Sequence, residues 1–111
     1  MLNLTEALAR AGGSEKLLHR VCHVFLENLP RMSAAIQTSV GHMDAAAIQH
    51  AAHTLKGSAS LIGAQAVTAA ARDLEMMAKS GKLDGLELAL ETLDHELKRL
   101  TAVVAEFHNS P

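Results

Sequence analysis

The sequence predicts an all-α fold, an antiparallel up-down four-helix bundle preceded by a short extra N-terminal helix. Three observations carry that expectation. Ala (20) and Leu (17), both at the top of the helix-propensity scale, make up a third of the 111 residues. Val and Ile together number nine, a poor supply for a β fold. The breakers are few, and between them the apolar residues repeat at helical spacing. A chain of this length is expected to form one small domain over residues 1–111.

The elements follow in order. Leu4 and Leu8 lie one turn apart, and Gly12-Gly13 closes a short first helix over 4–11. Ser14 reads as an N-cap, with Glu15 in the first turn where a negative charge suits the helix dipole. Leu18, Val21, Phe25, Leu29, Met32 and Ile36 form one side of a long helix that ends near Gly41. Pro30 falls inside this pattern and is expected to kink or split the helix at about Leu29, because it lacks an amide donor. Asp44 caps a third helix that runs to about Ile62, and Gly63 ends it. A fourth helix follows to about Ser80, with Val67, Ala70, Leu74 and Met77 as its buried stripe. After the turn 81–85, Leu86, Leu90, Leu93, Leu97, Leu100, Val104 and Phe107 alternate steps of four and three, a heptad seam suited to bundle packing.

Composition also excludes classes. The formal charge is −2, the ten Lys and Arg are scattered, and two Phe are the only Phe, Tyr or Trp. Nucleic-acid binding is therefore not expected. One cysteine, Cys22, gives no disulfide framework, and its apolar helical setting reads as packing. No apolar run approaches the roughly 20 residues of a membrane span, and the N-terminus lacks the basic start of a signal peptide. The expectation is a cytoplasmic monomer without direct membrane contact, either by itself or as the cytosolic part of a membrane-bound protein.

The third helix carries the chemistry. On a wheel of 100° per residue with His53 at zero, Ile48, Ala51, Leu55, Ala59 and Ile62 fall between roughly 160° and 240°. Ala46, Gln49, His50, Lys56, Gly57 and Ser60 lie within about 60° of His53. His53 thus points away from the core of its own helix. Gly57 is the one glycine inside a predicted helix, where it costs roughly 1 kcal/mol against Ala. It sits one turn beyond His53, so a missing side chain opens space beside the imidazole. Lys56 lies on the other flank and can reach an anion held on the ring. An ordinary imidazole titrates near about pH 6.5, so at neutral pH an unprotonated nitrogen is available to attack phosphorus. Lys56 would offset the charge of the resulting phosphohistidine. The chain has no Gly-rich phosphate loop and no acidic cluster for Mg²⁺. It is expected to accept and pass on a phosphoryl group, not to take one from ATP, and to need no cofactor of its own.

The segment from Ala52 to Ala64 resembles the phosphoacceptor helix of histidine-containing phosphotransfer (HPt) domains, through His53-x-x-Lys56-Gly57 followed by Gly63 at +10. Leu74-Glu75 falls where that family often has Leu-Glu, and Gly12-Gly13 and Phe25 fit its N-terminal layout. The resemblance spans about Leu4 to Phe107. It implies transfer between a histidine here and an aspartate of response-regulator receiver domains, in a multistep two-component phosphorelay. It further implies phosphorylation on Nε2, with Mg²⁺ supplied by the receiver. Related domains often place a Glu or Gln where it bonds the histidine Nδ1. His53 lies ten residues before Gly63 and Glu75 twelve after it, about 15 and 18 Å from the turn and so nearly level. Glu75 is therefore expected to accept the Nδ1 proton of His53. Lys79, one turn further on, would add a second positive charge, and Gln49, His50, Gly57 and Ser60 would complete the receiver-docking face.

The expected setting is the terminal domain of a hybrid sensor kinase, with a free-standing phosphotransfer protein as the alternative. Two readings from other classes stand beside it: a helical interaction module that is never phosphorylated, and a metal-binding bundle using the seven histidines. His19 and His23, spaced i, i+4, are the pair that would begin such a metal site.

Overall fold

The structure is a computed structural model and describes residues 13–108. Within them lie four helices: α1 (Glu15–Gly41), α2 (Ala45–Leu61), α3 (Gln65–Ser80) and α4 (Leu86–His108). Each packs against the next, and α4 closes on α1, which makes an antiparallel bundle of 44 × 20 × 18 Å. There is no strand among the described residues. The short helix expected over 4–11 lies outside them.

The caps follow the sequence signals. Ser14 accepts from the Leu17 amide at 3.1 Å and Asp44 from the Ala47 amide at 3.2 Å, each pairing an amide the helix leaves open. At the far end of α2, Gly63 takes φ +70°. The Gly63 and Ala64 amides donate back to the Ser60 and Ala59 carbonyls. This turn reverses the chain in three residues and sets α2 beside α3.

One local expectation is corrected. Pro30 does not split the long helix, which is continuous from Glu15 to Gly41. Leu29, Met32 and Ile36 are buried on both sides of it, and their packing outweighs the one amide bond that the proline removes. The helix ends at Gly41, where the sequence places its end, and the left-handed residue of the turn that follows is Met43, at φ 51°. The amides of His42, Met43 and Asp44 donate to the carbonyls of Thr38, Val40 and Ser39, and this tight closure holds the non-glycine residue there.

The core joins Leu18, Phe25, Ile36, Ile48, Leu55, Leu74 and the seam Leu86, Leu93, Leu97, Leu100 and Val104. Leu90, Phe107 and Met77 are only partly buried against it. Ala70, Ala71 and Ala78 take the covered positions of α3 that the larger Met77 does not.

Candidate functional site

His53 sits in the middle of α2, on the side away from the buried Ile48, Leu55 and Ala59. Its side chain is 67% exposed. Nδ1 lies 2.7 Å from Oε2 of Glu75, across the α2–α3 hairpin. The other carboxylate oxygen, Oε1, accepts from Lys56 Nζ at 2.5 Å. Glu75 is therefore held from two directions, and its side chain is only 13% exposed.

The electrostatics order the protons. The Lys56 ammonium, hydrogen-bonded to Glu75, is the main cause that holds this carboxyl below its ordinary value; desolvation pushes it up, and the bond to His53 again lowers it. An ionised carboxylate offers acceptors only. The proton in the short contact therefore belongs to Nδ1, as an assignment from the network. Nε2 has no bonding partner among the described residues and carries the ring's lone pair.

Gly57 lies inside α2 and is exposed, and a Cβ built on it would meet nothing within 4 Å. Internal packing therefore gives no reason for a glycine here. His50 is exposed, while Gln49 and Ser60 are half-buried, all on α2. The Thr54 hydroxyl donates to the His50 carbonyl at 3.0 Å. Lys79 is exposed in the last turn of α3, and no bond joins it to His53 or Glu75.

The ion pair between Lys56 and Glu75 was not foreseen from the sequence, which sent Lys56 only toward a ring-bound anion. A signal existed. On the helical wheel Lys56 lies about 60° from His53, and the long lysine stem spans the gap to α3.

The histidines proposed for metal have other neighbours. The His19 ring stacks on Phe107 at a centroid distance of 4.4 Å, and His23 Nε2 pairs with Glu27 at 2.6 Å. No group of three or more His, Cys, Asp or Glu is placed to hold a metal among the described residues. Cys22 is fully buried, and burial raises its thiol pKa. No helix is long and apolar enough to cross a membrane among the described residues.

The chain belongs to the Hpt domain family, whose model matches residues 20–103. Family members carry phosphoryl groups on histidine in phosphorelays and work with receiver domains. Two solved structures share the fold. One is histidine-containing phosphotransfer protein B from Pseudomonas aeruginosa PAO1, at 20% identity and TM-score 0.88, covering 96% of this chain and 93% of that one. The other is the HPT domain of a sensor hybrid histidine kinase from Shewanella, at 24% identity and TM-score 0.84, covering 95% and 91%. At these identities the likeness speaks for the fold. Among curated proteins none matches the chain significantly in sequence.

Proposed function

We propose that this chain is a phosphocarrier in which His53 takes a phosphoryl group from a receiver-domain aspartate and returns it to the same or another receiver. The observation that carries the reading is the exposed ring whose Nδ1 is bonded to Glu75 while Nε2 is left without a partner. The Nε2 lone pair forms the N–P bond as the P–O bond to the aspartate breaks, and that electron pair leaves with the carboxylate. The Nδ1 proton stays in place, the ring becomes cationic, and the Glu75 carboxylate faces the new charge. Lys56 keeps Glu75 ionised before transfer, and its flexible stem lets it share its charge with the phosphoryl oxygens afterwards. Gly57 gives the receiver clearance beside the ring. Gln49, His50, Ser60 and Lys79 are assigned to the docking face. Mg²⁺ is assigned to the receiver.

The chain acts as one monomeric domain over residues 1–111 on the cytosolic side, without its own ATP chemistry. The scheme is the same in a hybrid sensor kinase and in a free-standing protein; only the tethering of the receiver differs. The test is incubation with phosphorylated receiver domains. Wild type should gain an acid-labile, alkali-stable label and His53→Gln should gain none. No label on wild type from any of several receivers would refute the proposal.

A further inference from the structure

Beside His53, on the flank away from Glu75, α1 and α2 enclose a groove of about 400 Å³. Its apolar surface includes Val24 and Leu61, 50% and 64% exposed. No Asp or Glu lines it, but Arg20 and Arg31 do. In a chain of net charge −2 this is a locally positive strip. Among the described residues neither guanidinium has a carboxylate partner. Arg31 bonds the Asn28 amide oxygen at 2.8 Å. The acid nearest Arg31 along α1, Glu27, pairs with His23.

The arginines share a face. They are eleven residues apart, which is three turns, about 16 Å along the axis and within about 20° around it. Val24 lies between them on that stripe. Resting on the phosphocarrier reading, we propose that Arg20 and Arg31 are specificity-determining residues. They select receivers that present an apolar helix stripe flanked by two acidic side chains about three turns apart.

The near part of the groove falls inside a footprint centred on His53, and its far end at Arg20 reaches past it. Leu61 is eight residues along α2, about 12 Å away. A contact of roughly 600–800 Å² per partner, taken as a disc, reaches about 14–16 Å from its centre. A receiver that brings its aspartyl phosphate to Nε2 therefore covers Leu61 and meets Arg31, which lines the groove with Thr54, while Arg20, about 16 Å further along α1, lies just outside that contact and acts on the approaching receiver. Rim charges of this kind act on the association rate and its salt dependence more than on the docked complex.

The experiment measures initial transfer rates from a panel of phosphorylated receiver domains to wild type, to Arg20→Glu/Arg31→Glu, and to Lys98→Glu/Arg99→Glu on α4 as a control with the same charge change. Thermal unfolding checks that each variant is folded. For the receivers that wild type accepts fastest, the α1 double variant should be at least tenfold slower at 50 mM salt. The deficit should shrink to under threefold near 1 M, where the screening length is about 3 Å. The control should stay within twofold. Equal rates for wild type and the α1 variant at low salt would overturn the groove assignment while leaving the phosphocarrier reading intact. An equal loss in the control would overturn it too, because net charge alone would then explain the effect. A wild-type chain that sediments as a dimer dissolved by Val24→Glu would give the groove to a second copy and overturn the proposal. No label on wild type from any receiver removes both readings together.

Discussion

Glu75→Gln would ordinarily count as a mild change, yet the site makes it a severe one. The carboxylate meets two donors, the Nδ1–H of His53 at 2.7 Å and the Lys56 ammonium at 2.5 Å. An amide has one acceptor oxygen, so it can serve only one of them. If the oxygen turns to His53, the amide NH₂ faces the ammonium. If it turns to Lys56, the NH₂ faces Nδ1, which must then become the acceptor. The ring proton moves to Nε2, and the attacking nitrogen is blocked. A hydrogen bond to a charged group is worth about 1.5–3 kcal/mol and a neutral one about 1 kcal/mol. The lysine-directed orientation therefore wins by roughly 1 kcal/mol, about a fivefold preference for the wrong tautomer.

The prediction is a coupling. Transfer to Glu75→Gln should fall about five- to tenfold, whereas adding the same change to Lys56→Met should lower the rate no more than about twofold, because the competing donor is gone. Rapid-quench transfer from a phosphorylated receiver gives the rates. Nitrogen-15 shifts of the His53 ring read the tautomer without any partner. Wild type should carry its proton on Nδ1, Glu75→Gln mostly on Nε2, and the double variant on Nδ1 again. An unchanged ring spectrum in Glu75→Gln, or equal losses in the two lysine backgrounds, would refute the reasoning.

Three further predictions follow from the same geometry. Glu75 titrates below its ordinary value of 4.5 in the fold, so its contribution to stability is complete above that pH and is lost as pH falls through the folded value. Urea unfolding should find the gap between wild type and Glu75→Ala constant at neutral pH and narrowed at pH 3. Gly57→Ala should raise stability by about 0.5–1 kcal/mol, since the new methyl meets nothing within 4 Å and the helix gains propensity. Gly57→Leu should fold as well as wild type yet transfer at least tenfold more slowly, and normal transfer would remove the clearance role. Pro30→Ala gives the Leu26 carbonyl an amide donor and should stabilise α1 by at least ~1 kcal/mol in chemical unfolding, with no effect on transfer.

Most of the frame was legible because helical periodicity and side-chain caps are local properties. Ser14 and Asp44 act within three residues of themselves, and the heptad seam of α4 needs only its own spacing. His53 could be placed on the outer face by the same arithmetic. What escaped the sequence depends on groups far apart in it. The fate of Pro30 was settled by apolar side chains on either side of it packing into one core. The left-handed Met43 follows from a turn that returns the amides of His42, Met43 and Asp44 to carbonyls at the end of α1. The partner of Lys56 depends on how far a flexible side chain reaches across to another helix, which a helical wheel does not contain.

The alanine content and the chemistry of the site share a cause. Ala51, Ala52 and Ala59 of α2 are buried, as are Ala70, Ala71 and Ala78 of α3. These two helices have the most extensive contact of any pair. Interaxial distance depends on the side chains at the contact, and small ones permit the near end of the 8–10 Å range. Glutamate has two methylenes between Cα and its carboxylate, and an imidazole carries Nδ1 close to its own backbone. Such short arms meet across two helices only if the axes lie close together. The alanines thus supply helix propensity and also set the spacing at which Glu75 reaches Nδ1. That spacing then dictates which face of the ring is left for the receiver.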